Sequence, residues 1–221
     1  MSPEILEPLR LSILVACAAT VLAGLFGTAL AWIFARRRFP GRGALDLAVT
    51  LPLVLPPTVT GYYLILLLGR RGLLGGPLHE ATGWTVTFTW AACIVAATVM
   101  ALPLMVKTAQ AAISAVDRDY EEAARTLGST EWDVARRITL PLARKGILAG
   151  LVLAFARALG EFGATLMLAG NIPGRTTTMP LAIYTAVSTG DDDAAQVLVI
   201  LLTAVSAAVL VIAGRLGQTR W

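Results

Sequence analysis

Apolar residues occur along the chain in five long runs that are separated by short polar segments. The runs extend over about Leu11 to Phe34, Leu45 to Leu68, Val86 to Val106, Ile147 to Leu168 and Ala194 to Ala213. A helix needs about 20 predominantly apolar residues to cross the hydrocarbon core of a bilayer. The pattern therefore predicts an all-α integral membrane protein with about five transmembrane helices.

The composition agrees with a membrane environment. Hydrophobic residues make up 57% and charged residues 14% of the 221 residues, whereas about a quarter of the residues in a soluble domain are charged. We interpret residues 1–221 as a single transmembrane domain. One densely charged segment, residues 117–141, lies between the third and fourth apolar runs.

The distribution of lysine and arginine predicts the orientation of the chain. Most of the 18 lysines and arginines lie between Arg36 and Arg42, between Lys107 and Lys145, or at Arg215 and Arg220. Cytoplasmic loops carry an excess of these residues, which predicts an N-terminus outside and a C-terminus in the cytoplasm. The positive charge then reflects membrane topology, so we expect contact with membrane lipid and no nucleic-acid partner.

The charged segment, which reads "DRDYEEAARTLGSTEWDVARRITLP", predicts two short helices joined at a glycine. Asp117 can cap the first helix, and Gly128 can end it because glycine readily adopts the left-handed conformation. Thr130 and Asp133 have the spacing of a capping box, which predicts the start of the second helix. Pro141 is expected to mark the change to the next element.

The residues of this segment leave two interpretations open, a solvated cytoplasmic loop and a docking surface for a partner. Ala123 and Ala124, just before Gly128, give the first helix a small and flat apolar face, which favours docking. A DNA-binding helix-turn-helix is disfavoured, because carboxylates outnumber arginines between Asp117 and Arg137. Contacts with DNA phosphates require the opposite balance of charge.

The sequence offers no set of residues for catalysis or metal binding. His79 is the single histidine, and Cys17 and Cys93 lie within apolar runs, whereas a zinc site needs several such ligands. A GxxxxGK[ST] phosphate-binding loop is absent, and no nucleophile and base are paired at membrane depth. We therefore expect a protein that is not an enzyme and that binds no metal or cofactor.

A longer motif connects the charged segment with a known family. The pattern EAA, three residues, G, nine residues, I, one residue and LP is matched at every fixed position, from Glu122 to Pro141. In this motif the chain resembles the permeases of ATP-binding-cassette importers. The resemblance implies that a helix of this segment docks into a cytoplasmic ATPase. The coupling residues that it implies are Glu121, Glu122, Ala123, Ala124, Arg125, Leu127 and Gly128.

The same resemblance implies a set of partners. A separate ATPase dimer would bind ATP and Mg²⁺, a second copy of the chain would complete the pathway, and an external binding protein would deliver the substrate. The location implied is the inner membrane of a bacterial cell. An ion-driven secondary transporter is a weaker alternative, because such proteins place several carboxylates at the membrane midplane, where the sequence has only Glu161.

Two further stretches narrow the resemblance to importers of oxyanions. "LPLVLPPTVTGYYL" and "FARALGEFGATLMLAGNIPGRTTTMPLAIY" are similar to the molybdate permeases of this class. Sulfate permeases are similar around "RALGEFG" but are generally longer, with an additional span. The resemblance therefore implies molybdate as substrate, with sulfate, tungstate or another oxyanion as the alternative.

Candidate pathway or gate residues lie in the second and fourth runs. Prolines inside the second run must bend or break the helix. Arg157 and Glu161 are one helical turn apart and can neutralise each other at membrane depth. A role in helix packing stays open for every candidate. The candidates are Pro56, Pro57, Arg157, Gly160, Glu161, Gly163, Thr165 and Asn171.

Overall fold

The computed structural model describes residues 3–217 of the chain, so Arg220, one of the cations that predict the orientation, lies outside the described residues. All regular secondary structure in the described part is helical, as predicted. The elements are α1 (Pro3–Arg36), α2 (Arg42–Val54), α3 (Pro57–Leu68), α4 (Gly75–Thr82), α5 (Trp90–Ser114), α6 (Arg118–Thr126), α7 (Glu131–Val134), a π-helical segment (Ala135–Thr139), α8 (Leu140–Leu159), α9 (Gly163–Ala169), α10 (Met179–Thr189) and α11 (Asp192–Gly217).

Within residues 3–217, four helical stretches are long and apolar enough to cross a membrane. They are Ile5–Arg36, Trp90–Ser114, Glu131–Leu159 and Asp192–Val211. The first, second and fourth of these confirm the predicted first, third and fifth apolar runs. Together with the second run, which is divided between two helices, they give the expected fold of about five membrane-embedded elements.

The second apolar run is broken at its prolines, so the prediction of one span over Leu45 to Leu68 is wrong in its continuity. Helix α2 ends at Val54, Leu55 and Pro56 have extended backbone conformations, and α3 begins at Pro57. A residue that precedes proline is disfavoured in the helical conformation, and Leu55 and Pro56 both precede one. The predicted break is confirmed.

The fourth run differs from its predicted bounds at both ends. A continuous helix extends over Glu131–Leu159 and stops at Gly160, and the separate helix α9 follows from Gly163. The predicted span Ile147 to Leu168 is therefore wrong in its bounds. The predicted change of element at Pro141 is confirmed to within one residue, because the π-helical segment ends at Thr139 and α8 begins at Leu140. Pro141 stands in the first turn of α8, directly after the π-helical segment. A missing N–H is tolerated in a first helical turn, so the helix continues through it.

Helix α5 lies between α1 and α8 and forms the centre of the fold. Its buried residues include Ala96, Ala97 and Ala101, and α8 contributes Gly146 and Gly150, which approach Ala112 and Met105 of α5. Helices in a bilayer associate through close packing, for which small residues are favourable. The small residues of this core therefore allow the three long helices to pack closely.

The two helix breaks lie beside each other, because α3 packs against α9. A Cβ atom on Gly61 would lie 2.7 Å from Cβ of Met167 and 2.9 Å from Cα of Ala164. A Cβ atom on Gly163 would lie 2.9 Å from Cβ of Pro57. Glycine at both positions is thus a requirement of the contact between the two half-helices.

We predict that Gly61→Ala destabilises the protein, because the added methyl group has no space against α9. Overpacking of this kind costs about 1–3 kcal/mol, and the thermal midpoint of the detergent-purified protein should fall. Gly43→Ala is the matched control, since a Cβ atom on Gly43 of α2 would meet no atom within 4 Å. Equal losses of stability in the two variants would contradict the close packing of α3 on α9.

Candidate functional site

The charged segment folds into the predicted helix, glycine turn and second helix start. Asp117 caps α6 by accepting a hydrogen bond from the N–H of Asp119 at 3.1 Å. At the other end Gly128 has φ +85°. The N–H of Gly128 bonds to the carbonyl of Arg125, and the N–H of Ser129 bonds to the carbonyl of Ala124. These two bonds form the Schellman motif that ends many helices at glycine.

The second helix also starts where the sequence predicts, but it does not remain short. Thr130 Oγ1 accepts from the N–H of Asp133 at 3.2 Å and donates to Asp133 Oδ2 at 2.6 Å. The Asp133 carboxylate therefore accepts a hydrogen bond from the hydroxyl group of the cap residue, Thr130. Helix α7 then continues through the π-helical segment into α8, so the charged segment is joined rigidly to a membrane-spanning helix.

The charged segment exposes large apolar side chains. The exposed fraction is 62% for Tyr120, 87% for Leu127 and 70% for Trp132, and Glu122 and Ala123 are exposed with them. We call these five residues the coupling face. Contact sites for other molecules are typically rich in exposed apolar side chains. The docking role of the face stays a prediction.

Two of the predicted coupling residues, Arg125 and Glu121, form ion pairs within the protein. Arg125 donates to Glu131 Oε1 at 2.7 Å, so it connects α6 with α7 across the Gly128 turn. This hydrogen bond raises the pKa of the Arg125 guanidinium above its ordinary value. Glu121 is only 2% exposed and lies beneath α6, where Arg36 is its ion-pair partner at 2.8 Å. Glu121 is thus the buried carboxylate and Glu122 the exposed one, and the coupling role of both stays a prediction.

The residues around Glu121 could not be found from the sequence. Arg36 and Thr139 both donate to Glu121 Oε1, although they are 85 and 18 residues away along the chain. The sequence shows that Arg36 is the first basic residue after the first apolar run. This position indicates the orientation of the chain but does not identify Glu121 as the partner of Arg36.

The second group of predicted residues lies at the adjoining helix breaks. Arg157 Nη1 is 2.6 Å from Glu161 Oε2, and the side chains are 26% and 2% exposed. The predicted ion pair is thus confirmed. Glu161 Oε1 also accepts from the N–H of Ala164 at 2.8 Å, near the start of α9. The pair neutralises a buried carboxylate and fixes the geometry of the second break.

The remaining gate candidates separate into exposed and buried residues. Pro56, Pro57 and Gly160 are exposed in the protomer, so they are accessible to a pathway. Thr165 is 1% exposed in the protomer, and its place in the pathway stays a prediction. Asn171 is half-buried and is bonded to Thr177 at 2.7 Å and to Thr185 at 2.8 Å, so it stabilises the loop before α10.

No group of three or more histidine, cysteine or acidic residues that could hold a metal ion occurs in the described part of the chain. The two cysteines, Cys17 and Cys93, are free thiols. The coupling face and the helix breaks are therefore the candidate functional features of residues 3–217.

The comparison with known families decides the class of protein. Residues 23–219 match the family described as "Binding-protein-dependent transport system inner membrane component". The chain belongs to this family. It is accordingly a multi-pass protein of the inner membrane and a non-catalytic subunit of a transport system, in agreement with the interpretation of the sequence.

Individual relatives are similar over most of their length. The "Molybdenum transport system permease protein ModB" of Escherichia coli (strain K12) is 46% identical over 88% of this chain and 86% of its own. The "Sulfate transport system permease protein CysT" of the same strain is 36% identical over 93% of this chain and 74% of its own. Among solved structures, a bacterial ABC transporter "involved in the import of the acidic polysaccharide alginate" superposes with a TM-score of 0.79, at 18% identity over 100% of this chain and 82% of that chain. The structural likeness supports the fold.

We predict that the two charges at the second break depend on each other. Arg157→Met leaves the buried Glu161 carboxylate without its counterion, which typically costs about 3–5 kcal/mol. The double variant Arg157→Met with Glu161→Gln should recover most of the loss, since glutamine retains an oxygen for the Ala164 N–H. Thermal midpoints of the purified variants measure this coupling.

Arg137→Met is the control for this prediction, because Arg137 belongs to an exposed ion pair with Asp133 and its loss should have little effect on the midpoint. If the loss of stability in the double variant equals the sum of the losses in the single variants Arg157→Met and Glu161→Gln, the two charges do not stabilise each other.

Proposed function

We propose that this chain is the permease subunit of a molybdate importer that is driven by ATP hydrolysis on a separate cytoplasmic ATPase. The observation that carries the proposal is the 46% identity to a molybdenum permease over nearly the whole of both chains. The sulfate permease is less similar, at 36%, and 74% of its length is covered. Import of sulfate, tungstate or another oxyanion is the alternative function.

The coupling face supports the contact with the ATPase. Leu127 and Trp132 are large apolar side chains that the protomer leaves uncovered, and the exposed Ala123 is small enough for close approach. Glu122 is exposed and can pair with a basic residue in a groove of the ATPase. ATP and Mg²⁺ would then be held by the ATPase, and this chain would contribute no nucleotide-binding residue.

The second copy of the chain is proposed to cover the side of the protomer that carries α2 and α3. Helix α2 buries none of its residues, and Tyr62 and Tyr63 of α3 are both 52% exposed. The exposed Pro56 and Pro57 of the first break lie on the same elements. A two-fold contact here would place the breaks of both copies around one central pathway, which the external binding protein would load with the oxyanion.

The orientation completes the proposal. The coupling face has to lie in the cytoplasm to reach the ATPase, and α5, which precedes it, crosses the membrane from Trp90 to Ser114. The arginines at the end of α1 lie on the same side as the coupling face, because Arg36 bonds to Glu121. This arrangement agrees with an N-terminus outside and with the excess of cations in cytoplasmic segments.

The structure provides little support for an ion-driven secondary transporter. Such a protein needs a carboxylate at the membrane midplane that is free to bind and release an ion. Glu161, the carboxylate expected at this depth, is already paired with Arg157 and bonded to the backbone of α9. A group that is held in this way is a structural ion pair.

We predict that Gly128→Val leaves the protein in the membrane but releases the ATPase. Valine at φ +85° is strained by about 1–2 kcal/mol, while a Cβ atom there would meet no atom within 4 Å, so the effect is confined to the turn. The measurement is the amount of ATPase that co-purifies with the tagged chain, which should fall about tenfold, since about 1.4 kcal/mol corresponds to that factor.

Gly83→Val is the matched control, because Gly83 has φ +71° with no atom within 4 Å of an added Cβ and caps α4, away from the coupling face. It should retain the ATPase. Wild-type protein that brings down no ATPase would contradict the proposed function, whereas full retention by Gly128→Val would contradict docking at this turn.

A further inference from the structure

The only side chain of α6 that is buried belongs to Glu121. The other residues of this helix lie at or near the surface, so Glu121 is the one buried side-chain anchor of the helix. This anchor is directly beneath the coupling face, which includes Tyr120, Glu122 and Ala123 of the same helix. Arg125 of α6 lies 3.6 Å from Glu121 and also bonds to Glu131 of α7. A force that acts on α6 can therefore reach the protein interior through Glu121, through the Arg125–Glu131 bond to α7, or through the main chain at the two ends of α6.

Arg36, at the last residue of α1, is the first partner of Glu121. Its Nε donates to Glu121 Oε1 at 2.9 Å, and its Nη2 lies 2.8 Å from the same oxygen. The Nη2 group also donates to the carbonyl oxygens of Ile113 at 2.9 Å and Val116 at 3.1 Å, at the end of α5. One guanidinium thus connects α6 with the cytoplasmic ends of α1 and α5.

Thr139 is the second partner. Its hydroxyl group donates to Glu121 Oε1 at 2.7 Å, and Thr139 is the last residue of the π-helical segment that leads into α8. Segments of π-helix within α-helices are frequent at functional positions. Glu121 is consequently bonded to α1 through Arg36 and to the π-helical segment before α8 through Thr139, and Arg36 extends the connection to the end of α5.

On the basis of the proposed function, we propose that Glu121, Arg36 and Thr139 form a joint that transmits the movement of the docked ATPase to the membrane helices. Glu121 is a positioning residue in this joint and does not itself touch the ATPase or the substrate. The joint is separate from docking, so its loss should leave the ATPase bound and active while the transport that each ATP drives declines.

The burial of the ion pair supports a mechanical role. The side chains of Arg36 and Glu121 are 8% and 3% exposed, whereas those of the interhelical pair Lys107 and Asp46 are 40% and 38% exposed. A buried ion pair adds little net stability over apolar residues of similar size, but its loss on one side is strongly felt. What the charges do provide is a set of directed bonds that fixes α6 against three helices.

The variant Glu121→Gln tests the joint with little change of shape. It removes the charge from the centre of the joint, and Arg36 keeps its two carbonyl acceptors at the end of α5, where the helix dipole favours a cation. Thr139→Val is the second variant, because it removes the bond to α8 and leaves both charges in place. Asp46→Asn is the matched control, since it neutralises an interhelical ion pair that does not involve α6.

The experiment uses the complete complex of permease and ATPase in proteoliposomes, with molybdate and its binding protein, and measures the molybdate imported per ATP hydrolysed. We expect Glu121→Gln to retain its ATPase and to lower this ratio at least about fivefold, the lower end of typical coupling between two sites. Thr139→Val should lower the ratio to a smaller extent, and Asp46→Asn should leave it unchanged.

An unchanged ratio in Glu121→Gln, or an equal loss of ratio in Asp46→Asn, would overturn the joint. If Glu121→Gln does not accumulate in the membrane, Thr139→Val provides the test, and an unchanged ratio of imported molybdate to hydrolysed ATP in that variant would overturn the joint. Loss of bound ATPase from Glu121→Gln would assign the residue to docking and would also overturn the joint. A wild-type complex without ATP-dependent uptake would instead refute the proposed function on which the joint rests.

Discussion

The close packing of α5 between α1 and α8 is the constraint on which the rest of the structure depends. Lipid chains are as apolar as the side chains of these helices, so burial of apolar surface does not hold them together. Contact between small residues does, and Ala96, Ala97 and Ala101 of α5 are fully buried. Because the packing is close, the ends of α1 and α5 meet in a small space beside α6, and Arg36 can reach Glu121 and the end of α5 together.

The continuous helix Glu131–Leu159 connects the two candidate sites. It begins in the coupling face near Trp132 and ends at Gly160, where the Arg157–Glu161 pair fixes the start of α9. At about 1.5 Å per residue, one helical stretch of about 40 Å extends from the coupling face to the helix break. In the proposed function, movement of the coupling face would be communicated along this stretch to α9, and through Gly61 and Gly163 to α3 at the other break.

The features that were predicted correctly from the sequence are local ones. Pro56 and Pro57 determine a break through their own covalent structure, and Asp117 and Gly128 begin and end α6 through bonds to neighbouring residues. The Arg157–Glu161 pair needs only the spacing of one helical turn. The features that could not be predicted from the sequence depend on distant contacts. Glu121 and Glu122 are adjacent and chemically alike, and only the position of Arg36 in three dimensions separates the buried carboxylate from the exposed one. The burial of Thr165 follows in the same way from tertiary packing.

ATP-driven molybdate import by the complete complex is the most direct test of the account. Proteoliposomes that contain the permease and its ATPase, with the binding protein outside, would be given labelled molybdate while ionophores collapse all ion gradients. Accumulation that requires ATP, survives the ionophores and resists an equal concentration of sulfate is the predicted result. Uptake that stops when the gradients collapse at constant ATP, or a preference for sulfate over molybdate, would contradict the central claim.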